Sequence, residues 1–252
     1  MKINPKDFGI EYDYLYETLI TTFYYEDTHD RMILNTSSMG IRLSRENTFT
    51  IRPYINTNTY QNLKKNGYLC INFINNVYLF ALASLKEPRS SNQIGTFPIK
   101  YYDYIDLSKN KIVRENFQTT FKSIINNLPY VNQSWLIFIC RLDTEILENK
   151  KDDLGESTLS EVKVKILTYS KFRESYKLFN RSENIALESI ILATRLKIAY
   201  DKDNTNLIKK IHNEIIENKR RTTRFSDNIT IIKTFNLIEL YIRDLLPKSL
   251  SR

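Results

Sequence analysis

The stretch "INTNTYQNLKKNG", Ile55 to Gly67, joins two apolar runs, and its reading decides the fold. Ahead of it "NTFTIRPY" (Asn47–Tyr54) and behind it "YLCINFI" (Tyr68–Ile74) carry the β-branched and aromatic residues of strands. Between them Thr57 and Thr59 alternate, a short helical piece runs from Thr59 to Asn66, and Gly67 stands where a left-handed C-cap belongs. A strand that passes through a loop into a helix leaves free N–H groups at the helix N-terminus. With the helix dipole these make an anion site. Thr57 and Thr59 would add hydroxyl donors, Arg52 on the preceding strand a cation, and Asn56 and Asn58 further amides. Thr and Asn are equally good caps and turn formers without any ligand, so the stretch alone supports both readings.

The bulk composition sets the frame around it. The chain has 252 residues, 42% apolar and 26% charged, with many aromatics (17 Tyr, 13 Phe) and few Gly (5) or Pro (6). That is the balance of a globular protein, not of a disordered or loop-dominated one. Apolar runs such as "WLIFIC" and "SIILA" fall well short of the roughly 20 residues that cross a bilayer. The N-terminal "MKINPKDFGIEYDY" has no signal-peptide h-region, and a cytoplasmic protein is expected. Cys70 and Cys140 lie in separate strand-like runs and read as buried, reduced thiols. With only His29 and His212 besides, no metal-ligand spacing of Cys and His appears, although a carboxylate-only site stays open. A net charge of +8 suits nucleic acid, an anionic small molecule or solubility alone. The densest basic run, "NKRRTTR" (Asn218–Arg224), follows a helix, where the macrodipole favours cations without any partner.

Up to about Lys171 the pattern is that of short strands. "YETLITTFYY", "MILNTSS", "NTFTIRPY", "YLCINFI", "VYLFALASL", "WLIFICRL" and "VKVKILTY" are all expected to be extended. "RENFQTTFKSIINNLP" interrupts them with Phe117, Phe121, Ile124 and Ile125 on one helical face and Pro129 after its end. "NKKDDLGEST" reads as a surface loop. From about Ser175 the period becomes helical. "FNRSENIALESIILATRLKIAY" opens with Asn180 and Glu183 spaced as a capping box and spaces Ile185, Glu188, Ile191, Leu192 and Arg195 along a face. "TNLIKKIHNEIIENK" sets Leu207, Ile208, Ile211, Ile215 and Ile216 on a stripe. A third helix starts at Ser226 or Asp227 and stops at Pro247. The expected class is mainly β with α, a small barrel or sandwich over residues 1–171 followed by a helical subdomain over 172–252.

The order "YETLITT" (Tyr16–Thr22), "SSMGIRL" (Ser37–Leu43), "TNTYQNL" (Thr57–Leu63) and "INF" (Ile71–Phe73) resembles an archaeal-type flavin-binding split-barrel family of unassigned function. More distantly it is similar to the flavin reductase-like and pyridoxine-phosphate-oxidase-like split barrels. "FNRSENIALESIILATRL" is similar to that family's helical extension, with Asn180, Arg181, Glu188, Thr194 and Arg195 in matching places. The resemblance implies a six-stranded split barrel that binds FMN non-covalently, usually near a homodimer interface. It places Thr57 and Thr59 at the phosphate, with Asn62 in the same helical turn. It sets Ser38, Met39 and Gly40 beside the isoalloxazine ring, and Asn72 on the next strand. The chain departs from the family where Ser37-Ser38 replaces Ala-Pro and Asn75-Asn76 replaces an acidic pair. Read on its own, "SSMGIRL" is also a strand bent at its glycine.

Three function classes follow. An FMN-dependent oxidoreductase acting on an unidentified small molecule is the first, with a nicotinamide nucleotide as a transient donor, since no Gly-rich dinucleotide fingerprint is present. A flavin carrier or sensor without turnover is the second. A basic nucleic-acid-binding module, motivated by charge alone, is the third. No catalytic acid, base or nucleophile can be assigned. Glu17 reads either as a group near the flavin or as part of the wet face of a strand. Arg181, Glu188 and Arg195 read as a charged ladder or as salt bridges.

Overall fold

The computed structural model describes residues 3–26, 31–86, 96–108, 127–152, 155–175, 181–223 and 228–245. The chain divides into two compact units. One comprises Met1–Ile74, Pro98–Lys150 and Glu156–Ser175, the other Asn75–Phe97, Lys151–Gly155 and Tyr176–Arg252.

The first unit is built on β1 (Leu15–Glu26), β2 (Arg31–Leu43), β3 (Thr48–Ile51), β4 (Tyr68–Phe73), β7 (Leu136–Asp152) and β8 (Gly155–Lys171). They close into a barrel in the order β1-β2-β3-β8-β7-β4, and every pairing with a known register is antiparallel. A separate two-stranded sheet pairs β5 (Tyr102–Ile105) with β6 (Leu128–Val131). Side-chain alternation sorts the core. Leu69, Ile71 and Phe73 of β4 and Leu136, Phe138 and Cys140 of β7 enter one cluster, with Ile20, Ile41, Phe49 and Val164. The intervening Tyr68, Cys70, Ile137 and Ile139 enter a second, with Phe23, Leu128 and Tyr130. β4 and β7 are therefore buried on both faces, which is why they read as unbroken apolar runs. Each fully buried side chain such as Phe138 contributes about 1.5–3 kcal/mol.

The stretch between β3 and β4 forms α1 (Asn58–Asn66). Thr57 is its N-cap and accepts from Tyr60 N–H, Lys64 and Lys65 sit in the last turn, and Gly67 closes it at φ 76° with its N–H on Leu63 O. Thr59, Asn62, Leu63 and Asn66, spaced i, i+3, i+4 and i+7, form its buried face.

The second unit is helical in its described residues: α2 (Val77–Ser84), α3 (Arg181–Asp201), α4 (Thr205–Thr223) and α5 (Ile229–Leu245). α3 packs on α4 and α5, and α2 packs on α3 and α5. Among the described residues no helix is long and apolar enough to cross a membrane.

Several sequence expectations change. "VYLFALASL" is the helix α2, not a strand. It is buried around most of its circumference, so its apolar run has no period to read, and Asn76 caps it by accepting from Tyr78 N–H. The described residues of "NKKDDLGEST" are strand, with Thr158 Oγ1 donating to Asn149 Oδ1 at 3.0 Å across the β7–β8 hairpin. A polar strand that meets solvent lacks the alternation that would reveal it. The stripe of α3 is rotated from the expected one. Leu192 is buried as expected, together with Ser182, Ala186, Ser189, Ile190, Ala193, Leu196 and Ala199, while Arg181, Glu188, Ile191 and Arg195 are exposed. Small residues suit close helix packing, and large-residue spacing alone does not show them. On α4, Ile211 and Ile215 are buried but Ile216 is 53% exposed. The helix expected over Phe117–Ile125, the caps at Asn180, Ser226 and Asp227, and His29 lie outside the described residues, and Pro129 belongs to β6.

Candidate functional site

β2 pairs with β1 along its whole length, from Arg31↔Glu26 to Arg42↔Leu15. With β3 it pairs only at Arg42 and Leu43. From Arg31 to Ile41 its other edge has no strand partner among the described residues, so alternate residues turn main-chain donors and acceptors into the opening. Ser38, Met39 and Gly40 lie on this segment, opposite Leu19, Thr18 and Glu17. Met39 is half-buried against the interior cluster, and its carbonyl accepts from Thr18 Oγ1 at 3.0 Å. A Cβ on Gly40 would stand 2.7 Å from Leu15 Cδ1, so here the close approach is to the end of a side chain.

α1 is tied to β2 by hydroxyls and amides. Asn35 Nδ2 donates to Thr59 Oγ1 at 3.0 Å and to Ser37 Oγ at 3.3 Å, and Thr59 Oγ1 donates to Ser37 Oγ at 3.0 Å. Asn62 Nδ2 reaches Thr22 Oγ1 at 3.4 Å, as does Asn35 Nδ2. The two threonines thus part company. Thr59 is buried and joins α1 to the strand, whereas Thr57 stays half-exposed, donating to Tyr54 O at 2.7 Å and accepting from Tyr60 N–H. The first turn leaves the N–H groups of Asn58 and Thr59 without an acceptor among the described residues.

Across the sheet from that network runs a second one. Asn72 Nδ2 donates to Leu19 O, Thr21 Oγ1 and Cys70 O at 2.9–3.1 Å, and Asn72 Oδ1 accepts from Val131 N–H at 2.8 Å and Ser134 Oγ at 3.3 Å. Thr21 and Thr36 share a 2.9 Å bond, and Thr36 donates to Tyr102 OH at 2.9 Å. Burial pushes the Tyr102 phenol up to about 12, against the opposing pull of the Thr36 bond, so it is a neutral group at neutral pH. Asn72 is fully buried with both ends of its amide engaged, which makes it a node of the barrel wall.

Arg52 follows β3 and is 59% exposed. Its Nε donates to Glu161 Oε2 at 2.9 Å and its Nη2 contacts the same oxygen, and this pairing raises the guanidinium above its ordinary value. The structure gives this cation a carboxylate partner, not an open position. Glu17 is half-buried opposite Gly40. Cys70 and Cys140 are free and buried on opposite faces, with burial pushing both thiols well up. Among the described residues no cluster of His, Cys, Asp or Glu could hold a metal.

Sequence reasoning did not single out Asn35, Thr22, Thr36, Tyr102 or Glu145. A polar side chain repeated inside a strand, as in "LITT" and "LNTSS", was the available signal for the first three. Tyr102 and Glu145 carried none, since one Tyr or Glu in a mixed segment is common.

The closed six-stranded barrel with an open strand edge defines the chain as a split-barrel protein with helices added. Residues 16–167 match the family model described as protein of unknown function (DUF447), N-terminal domain, and the chain belongs to that family. Among solved structures it is similar to an FMN-bound protein of the same family from Methanosarcina mazei, with a TM-score of 0.62 at 16% identity over 94% of this chain and 100% of that one. Weaker likenesses include a 2-nitrobenzoate 2-nitroreductase from Pseudomonas fluorescens (TM-score 0.39, 14% identity, 62% of this chain and 64% of that one). A flavoredoxin from Methanosarcina acetivorans is at a similar level (TM-score 0.37, 13% identity, 71% and 77%). No functionally curated protein matches the sequence.

Proposed function

We propose that this chain binds FMN non-covalently along the open edge of β2 and acts as a flavin-dependent oxidoreductase on a small molecule. The observation that carries the reading is the end-to-end likeness to an FMN-bound member of the same family, barrel and helices together. The residues present fit such a group. The N–H groups of Asn58 and Thr59 and the hydroxyl of Thr57 offer phosphate donors at a helix N-terminus. Thr57 Oγ1 can turn from Tyr54 O to an anion at little cost. The stretch of β2 at Met39 and Gly40, beyond its pairing with β3, offers edge hydrogen bonds to a flat ring, with Ser38 beside it, and Met39 offers a polarizable surface.

When bound, FMN supplies the electron-transfer chemistry. The chain's part is to hold and orient. Thr59 and Asn62 act from behind by fixing α1, and Asn72 fixes the strand wall. Arg52 would join the phosphate only by leaving Glu161. A nicotinamide nucleotide is the proposed transient donor. A homodimer with the flavin near its interface is part of the same proposal, supported by the family resemblance.

Purified protein should be yellow and release FMN on denaturation. Colourless protein that takes up no added FMN overturns the reading. Anaerobic mixing with NADH or NADPH should bleach the flavin, and light scattering should return the mass of a dimer. A second reading, a flavin carrier without turnover, is favoured by one observation. The side chains of Ser38, Met39, Thr57, Thr59 and Asn62 are all neutral and offer no general acid or base. FMN uptake with no NAD(P)H-driven reduction would select it.

A further inference from the structure

Glu145 is a carboxylate in the middle of β7 that binds three side chains on two other elements, α1 and β8. Its Oε1 accepts from Tyr60 OH at 2.6 Å and from Ser160 Oγ of β8 at 2.9 Å, and its Oε2 accepts from Lys64 Nζ at 2.6 Å. Tyr60 and Lys64 are one turn apart on the same face of α1. The side chain is only 15% exposed, so it is held between β7, β8 and the helix instead of lying on the surface. On the other side of α1, Thr59 and Asn62 bind Ser37, Asn35 and Thr22 of β2 and β1. The helix is therefore gripped from two sides by directional bonds, with Leu63 buried between them. Apolar contact alone would fix its depth but leave its rotation loose. The carboxylate fixes the rotation, because Tyr60 follows directly on Asn58 and Thr59, whose N–H groups have no acceptor among the described residues.

We propose that Glu145 is the positioning residue of the phosphate end of the site: through Tyr60 and Lys64 it sets the angle at which α1 presents the N–H groups of Asn58 and Thr59 to the phosphate of the flavin nucleotide. This assignment rests on the FMN reading. A phosphate-end device must distinguish FMN from riboflavin, which carries the same ring without the phosphate. A device that merely holds the barrel together must not.

The test is to titrate apoprotein with FMN and with riboflavin, following flavin fluorescence, for wild type, Tyr60→Phe and Glu145→Gln. Tyr60→Phe removes the hydroxyl that donates to Glu145 while keeping the ring, and keeps the test open if Glu145→Gln does not fold. The expected result is a loss of about tenfold in FMN affinity, the equivalent of one well-placed hydrogen bond, with riboflavin affinity unchanged. Equal losses for both flavins, or none for either, overturn the assignment while the FMN reading stands. Wild-type protein that binds neither flavin overturns that reading and this assignment together.

Discussion

Asn35 on β2 donates to Thr59 on α1 across 3.0 Å, while Thr57 two residues earlier turns its hydroxyl to Tyr54 O. The paired threonines therefore hold different offices. Thr59→Val should strand the amide of Asn35 and the hydroxyl of Ser37, costing about 1–3 kcal/mol. Thr57→Val should lose an N-cap, costing about 1 kcal/mol, and should also weaken FMN binding. Urea unfolding of the two variants without flavin measures the difference, and equal midpoints would contradict the split.

Asn72 serves two strands and the segment around Val131. Asn72→Ala leaves Leu19 O and Val131 N–H without their side-chain partner in a dry wall, so a loss on the order of 3 kcal/mol or more is expected. Chemical denaturation monitored through Trp135 reports it. A loss below about 1 kcal/mol would return Asn72 to the flavin side of the ledger.

Arg52→Ala tests the ion pair with Glu161. With the side chain 59% exposed, its stability effect should stay within about 1 kcal/mol and shrink in salt. FMN affinity should not move. A tenfold loss would mean that the guanidinium leaves Glu161 to meet the phosphate.

Burial pushes the Glu145 carboxyl up, but the bonds from Lys64, Tyr60 and Ser160 together outweigh it and hold it below the ordinary carboxylate range. A folded-state value below the unfolded one stabilises the fold at pH above the unfolded value. That contribution disappears as pH falls through the folded value. Melting temperatures of wild type and Glu145→Gln should thus differ most near neutrality and converge in acid. Parallel curves across that range would remove the linkage.

Cys70 and Cys140 sit in adjacent register pairs, Cys70↔Ile139 and Leu69↔Cys140, yet face opposite sides of the sheet. Burial pushes both thiols up and keeps them protonated. An aromatic disulfide reagent should find no reactive thiol in the native protein and two after denaturation. Labelling of either in the native state would show that the wall opens.

Much of the barrel was legible because its strands repeat with period two or run continuously apolar, and both patterns follow from faces that meet a core. "YETLITTFYY" and "WLIFICRL" needed no tertiary context. "VYLFALASL" misled because a short helix buried on most sides has the same composition as a buried strand. α3 misled in part because its inward face mixes Ala and Ser with Ile190, Leu192 and Leu196, and a hydropathy pattern gives equal weight to large residues such as Ile191 that it exposes.

By itself the sequence determined a strand–helix–strand unit at Ile55–Gly67, capped by Thr57 and closed by Gly67, because caps and left-handed glycines are local chemistry. Only the tertiary structure decided which hydroxyls are spoken for. Thr59 turns inward to Asn35, Arg52 is held by Glu161, and Asn72 is saturated within the wall. Asn35, Glu161 and Val131 lie 24, 109 and 59 residues from Thr59, Arg52 and Asn72, so no local pattern could disclose these contacts. Distance in sequence becomes contact only when the barrel closes.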